Sequence, residues 1–102
     1  MAILEYSVRA ARDLNEIAEY TARRWGAEQA VAYLDRLKRC CQNLTVLPDL
    51  GRSCEDVRAG LRRLESGSHV VFYRTAAQKV LVVRILHRSM LPRRWVAGDT
   101  PE

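Results

Sequence analysis

The run Gly67–His87, GSHVVFYRTAAQKVLVVRILH, decides the fold. Within it, Ser68–Arg74 is rich in Val, Phe and Tyr, residues that suit a pleated surface. Lys79–Leu86 is apolar at nearly every position, which predicts a central strand covered on at least one face. Ala76–Gln78 reads as the turn between these two strands. Gly67-Ser68 reads as the turn after a shorter strand at Leu61–Glu65. Strands joined by turns this tight form an antiparallel meander.

Upstream, Pro48–Gly60 holds Pro, Gly, Asp and Ser without any sustained period and reads as a loop. Before it lie two helical periods. Ala10, Leu14, Ile17, Ala18, Thr21 and Trp25 share one face, while Arg9, Arg12, Asp13, Glu16, Glu19, Arg23 and Arg24 take the other positions. Ser7 is the expected N-cap and Gly26 the expected stop. A second stripe runs from about Glu28 through Ala30, Tyr33, Leu34, Leu37, Cys41 and Leu44 to Leu47, and Pro48 ends it. A link this short folds the helices into an antiparallel hairpin. Ile3–Ser7 reads as one more strand. The expected fold is therefore α+β: an N-terminal strand, a helical hairpin and a three-stranded antiparallel meander, with the helices on one face of the sheet. At 102 residues the chain is one domain's worth. Residues 1–90 are expected to form that domain and residues 91–102 a tail, with a short turn or helix around Met90–Trp95.

Charge is unevenly spread. Residues 1–56 carry eight basic and nine acidic side chains, whereas residues 57–96 carry nine basic ones against Glu65 alone. All the basic residues but Lys38 and Lys79 are arginines, which pair with phosphate and carboxylate through planar, two-pronged hydrogen bonds. The second half is thus expected to face something anionic, either nucleic acid or an acidic protein segment. Its candidate contact residues are Arg58, Arg62, Arg63, His69, Arg74, Arg84, His87 and Arg88. Adjacent Cys40 and Cys41, with Cys54 alone, have no metal-ligand spacing, so neither a zinc site nor a disulfide framework is expected. No cofactor, membrane span or signal peptide is read, and a cytoplasmic location is expected.

Several strings, in this order and spacing, resemble the RelE/ParE superfamily of toxins, closest to its ParE branch. They are Ala11-Arg12-Asp13-Leu14, Arg24-Trp25-Gly26, Gln29-Ala30, Tyr33-Leu34, Pro48-Asp49-Leu50-Gly51-Arg52, Val57-Arg58-Ala59-Gly60-Leu61-Arg62, Gly67 to Arg74, and Val83-Arg84-Ile85-Leu86-His87. The resemblance spans about Tyr6 to Met90. It implies the toxin of a type II toxin–antitoxin pair that inhibits DNA gyrase, arrests growth and is neutralised by a ParD-like antitoxin. The implied assembly is a heterotetramer or larger, touching operator DNA only through the antitoxin. Antitoxin contacts are expected at Leu14, Ile17, Tyr20, Trp25, Tyr33 and Leu37. Trp25 and Tyr33 also sit at spacings usual for core.

The sibling RelE branch cuts messenger RNA on the ribosome. Such chemistry needs a base for the 2′-OH, an acid for the leaving oxygen and cations for the phosphate. If the chain is a ribonuclease, His87, Arg84, Arg63 and Glu65 are its candidate catalytic groups, with Glu65 serving as a base only if it is desolvated. Against this, no Tyr follows Tyr73 and Lys79 is the only lysine of the basic half. A plain nucleic-acid-binding module is the third expectation.

Overall fold

Ser7 opens the first helix as its neighbours predict. Its Oγ accepts from the Ala10 amide at 2.9 Å and also donates to the Val83 carbonyl at 2.7 Å, tying the helix start to the sheet. The computed structural model describes residues 2–90. In chain order it has β1 (Ile3–Tyr6), α1 (Val8–Trp25), α2 (Ala27–Asn43), β2 (Arg52–Ser53), β3 (Arg62–Ser66), β4 (His69–Ala76) and β5 (Lys79–His87), ending in a 3₁₀ turn at Arg88–Met90. Of the turn or helix expected around Met90–Trp95, the part from Leu91 lies outside the described residues. Gly26 joins the helices with φ +97°, a conformation open to glycine, so one residue ends α1 and starts α2.

The sheet order is β1-β5-β4-β3-β2. The meander β3-β4-β5 is antiparallel as expected, and β1 pairs with β5 in parallel, Leu4 opposite Val80 and Tyr6 opposite Val82. That pairing gives the first half of β5 a neighbour on each side, as its apolar run predicts. Phe72 faces Arg84 while Tyr73 faces Val82, so Val83 is the extra residue of a bulge. In the β3–β4 turn Gly67 has φ +59°, and a Cβ there would lie 2.9 Å from the Tyr33 ring.

Two elements depart from the sequence reading. α2 stops at Asn43, short of Pro48, because the chain tightens there: the Leu44 and Thr45 amides donate three residues back, to Cys41 and Gln42, and the Thr45 hydroxyl also takes the Gln42 carbonyl at 2.7 Å. Leu44 remains fully buried, but Leu47 is exposed. The expected loop also contains β2, too short to show a period.

Both sheet faces are covered. On one, Ala10, Leu14, Ile17, Leu34, Leu37 and Cys41 of the hairpin pack on Val71, Val82 and Ile85. On the other, Cys54 and Leu61, flanking the loop, pack on Val70, Phe72, Val83 and Leu86. The far end of the sheet is locked by Tyr73, whose hydroxyl donates to Pro48 O at 2.8 Å and accepts from the Gly51 amide at 2.9 Å.

Candidate functional site

β1 ends at Tyr6, so β5 runs on from Val83 without a strand beside it on that edge. Open strand edges need other partners for their backbone groups. α1 supplies them. Asp13 Oδ2 accepts from the Ile85 amide at 2.9 Å, as a neighbouring strand's carbonyl would. The same carboxylate accepts from Arg84 Nε at 2.9 Å and Nη2 at 3.2 Å, a two-pronged pair in which both residues are buried. Arg84 is therefore committed to Asp13 inside the fold. The exposed contact and catalytic roles expected of it do not fit this position.

A cleft of about 460 Å³ lies beside this edge, and Glu16, Tyr20, His69, His87, Ser89 and Met90 are among its lining. His69 and His87 face each other across β4 and β5, with ring centroids 5.3 Å apart and planes near perpendicular. The Tyr33 hydroxyl sits 2.6 Å from His69 Nδ1, accepts from the Ser68 amide at 3.1 Å and has the Ser66 carbonyl 3.5 Å away as an acceptor. Burial, followed by the nearby His87, pushes the His69 imidazolium down to a pKa of about 4, partly offset by Asp13. His69 is thus neutral near pH 7. His87 is exposed, and its Nδ1 accepts from the Ser89 amide at 3.1 Å.

Arg63 pairs in register with Phe72, and Glu65 with Val70, so both lie on the outer face of the sheet, away from the hairpin. Arg52 Nη2 and Arg63 Nη2 each donate to Glu65 Oε2 at 3.0 Å. The Glu65 carboxyl falls below its usual pKa, chiefly through the Arg63 hydrogen bond and then the charges of Arg52, Arg63 and Arg88. Glu65 is solvent-accessible, and the little desolvation it feels is outweighed by the arginines, the reverse of what a base needs.

The four ribonuclease candidates therefore do not converge. His87 sits beside His69 on the hairpin side, Arg84 is buried against Asp13, and Arg63 and Glu65 lie on the opposite face. Arg62 is likewise occupied, donating through Nε and Nη2 to Gly51 O at 3.1 and 2.8 Å. Arg58 and Arg74 are half-buried with partners of their own, and Arg88 is exposed.

The six expected antitoxin positions divide by burial. Leu14, Ile17 and Leu37 are buried in the hairpin–sheet core, where a partner cannot reach them in this fold. Tyr33 is half-buried and spent on His69 and the Ser68 amide. Tyr20 and Trp25 stand out at 53% and 57% exposed, their rings edge to face at 6.2 Å, with the Arg24 guanidinium 5.3 Å from the indole. The helical spacing that placed Trp25 in the core fails because α1 ends there and leaves the stripe's last residue exposed.

No cluster of three His, Cys, Asp or Glu that could hold a metal is found among the described residues. Burial, offset in part by the Tyr6 hydroxyl, pushes the Cys41 thiol up to about 11, which leaves it protonated and inert. No helix among the described residues is long and apolar enough to cross a membrane. The sequence reading missed Asp13, which it assigned to the wet side of α1, because its partners Arg84 and Ile85 are some seventy residues away in the chain.

Known proteins share this fold. Residues 4–92 match the family described as the ParE toxin of the type II toxin–antitoxin system parDE. The chain is 45% identical over 87 residues to Toxin ParE1 of Caulobacter vibrioides, covering 85% of this chain and 90% of that protein. It is 41% identical over 78 residues to Toxin ParE1 of Mycobacterium tuberculosis, covering 76% of this chain and 80% of that one. The fold is shared with the chromosomal ParDE system of P. aeruginosa, at TM-score 0.73 and 23% identity, covering 85% of this chain and 96% of that chain. It is also shared with the RelBE2 toxin–antitoxin complex of M. tuberculosis, at TM-score 0.65 and 19% identity, covering 85% and 98%. With the family matched over nearly all the described residues, this chain belongs to the ParE toxins of type II toxin–antitoxin systems.

Proposed function

We propose that this toxin arrests growth by binding DNA gyrase in the cytoplasm rather than by cutting RNA, and that a ParD-like antitoxin keeps it inactive. One observation carries the choice between binder and nuclease. The groups that RNA cleavage would use lie on opposite faces of the sheet, and three of them, Arg84, Arg63 and Glu65, are already held by ion pairs. Transition-state stabilisation needs donors and a base aimed at one reacting centre. A binding surface has no such requirement, and the basic second half offers charge for steering to an anionic target.

The antitoxin docks on the exposed aromatic corner at Tyr20 and Trp25 and along the hairpin, as an acidic segment that folds on contact. The assembly is a heterotetramer or larger, and operator DNA is bound through the antitoxin. The test is a supercoiling assay with purified toxin beside a ribosome-programmed RNA cleavage assay. Inhibited supercoiling with intact RNA, reversed by the antitoxin, is the expected result. RNA cleavage lost in His87→Ala, with supercoiling untouched, would overturn it. Induced expression with and without the neighbouring gene adds the cellular outcome: arrest, relieved by the neighbour.

A further inference from the structure

His69 and His87 each leave one ring nitrogen unused. The two stand directly opposite each other in the β4–β5 register. His69 comes two residues before Val71 and His87 two after Ile85, so both share the hairpin face of the sheet, where they line the cleft. His69 is bonded through Nδ1 to the Tyr33 hydroxyl at 2.6 Å. His87 is bonded through Nδ1 to Ser89, 2.8 Å from its hydroxyl and 3.1 Å from its amide. Neither Nε2 has a hydrogen-bond partner among the described residues.

We propose that these two Nε2 atoms bind one borderline transition-metal dication of the Zn2+ class, with water in its remaining positions. The first support is spacing. An ion about 2.0–2.1 Å from one nitrogen of each ring, at a tetrahedral angle, sets the ring centroids about 5 Å apart. The observed separation is 5.3 Å, with the ring planes 86° apart. His87 is exposed and bonded only to Ser89 among the described residues, so its ring turns about a soft torsion to complete the angle. The second support is the proton balance, since a metal on Nε2 requires the proton on Nδ1. His69 Nδ1–H then donates to the Tyr33 hydroxyl, which turns its own proton toward the Ser66 carbonyl 3.5 Å away and keeps the Ser68 amide. His87 Nδ1–H donates to the Ser89 hydroxyl, and the exposed Ser89 amide turns to water. Outer hydrogen bonds of this kind fix the tautomer and orientation of metal-binding imidazoles, which makes Tyr33 a positioning residue. The third support is ligand type. Imidazole nitrogen suits Zn2+, Cu2+ and Ni2+, whereas Mg2+ and Ca2+ take oxygen. Two protein ligands make the site weaker than a four-ligand structural one and leave places for a donor from a partner that enters the cleft. The site goes beyond the gyrase and antitoxin reading and does not depend on it.

The experiment titrates zinc chloride into the full chain, carrying no affinity tag, by calorimetry near neutral pH, with magnesium chloride as the hard-cation control. One zinc ion per chain is expected, and no binding of magnesium. His87→Gln changes an exposed side chain and leaves the core intact. It should lower the zinc affinity about tenfold or more. Tyr33→Phe keeps the ring, removes only the hydroxyl that orients His69, and should lower the affinity severalfold. Cys40→Ser removes the half-buried thiol as an alternative ligand and should leave the affinity unchanged. No zinc binding, a smaller loss than this in His87→Gln, or binding lost in Cys40→Ser would overturn the inference. Full affinity in Tyr33→Phe would strike its positioning role.

Discussion

At the scale of single residues, Asp13 carries the most structural weight for its size. Its carboxylate satisfies a strand-edge amide and a buried guanidinium together. Removing it takes the carboxylate from the buried Arg84 guanidinium and from the Ile85 amide at once, a loss of about 3–5 kcal/mol for Asp13→Ala, read as a lowered urea midpoint. Combining it with Arg84→Met should recover much of the loss, since an apolar replacement of both partners is cheaper than a broken buried ion pair. Neither role was legible in the sequence. Asp13 falls among the polar positions of α1, and Arg84 looks like one more member of a basic surface. A contact between residues this far apart leaves no periodic trace. His69 is the second case. Its pKa in the fold, about 4, lies below the ordinary 6.5, so the unfolded chain takes up the proton first as pH falls. Its contribution is therefore complete above about pH 6.5 and drains away toward pH 4. Partial exposure screens the ring, which holds that loss to roughly 1–2 kcal/mol. Urea midpoints at pH 7 and pH 4.5 should fall further apart in the natural chain than in His69→Gln.

At the scale of elements, the start of α1 concentrates its stability in one hydroxyl. Ser7 caps the helix and also holds the Val83 carbonyl beside the bulge, where β1 no longer reaches. Ser7→Ala should cost about 1–2 kcal/mol, the upper part of the range for a lost cap, because a strand-edge acceptor is abandoned as well. Thermal unfolding would show it, and a cost no larger than a few tenths would mean that water replaces both bonds freely. The helices and the meander were legible because each obeys one period, near four along α1 and near two along β4. What escaped has no period. β2 spans two residues, and α2 ends where Thr45 captures a carbonyl rather than at Pro48. The covering of the outer face by Cys54 and Leu61 depends on where the loop travels in space, which its Pro, Gly and Asp content does not specify. The parallel pairing of β1 with β5 was likewise unforeseen, although the apolar length of β5 did require neighbours on both sides.

At the scale of the whole molecule, the chain separates the residues that hold it together from those it offers to a partner, and that separation can be tested. Of the six positions expected to meet an antitoxin, Leu37 is fully buried, whereas Trp25 projects from the end of α1. Leu37→Ala should cost about 2–5 kcal/mol of stability through the cavity it opens. Trp25→Ala should cost less, about 1 kcal/mol, because its indole stays 57% exposed and gives up mainly its contact with the Tyr20 ring. Binding reverses the order. A buried aromatic anchor at an interface carries about 2 kcal/mol or more, so Trp25→Ala should weaken antitoxin affinity at least tenfold. A partner that binds only the folded toxin raises its apparent stability with the logarithm of its concentration over Kd. The melting temperature with and without antitoxin then sorts the two variants. Leu37→Ala should start low and keep its full upward shift, while Trp25→Ala should start closer to the natural value and shift less. An undiminished shift in Trp25→Ala would move the docking face off the indole and into the cleft beside β5, which Tyr20 and Met90 line.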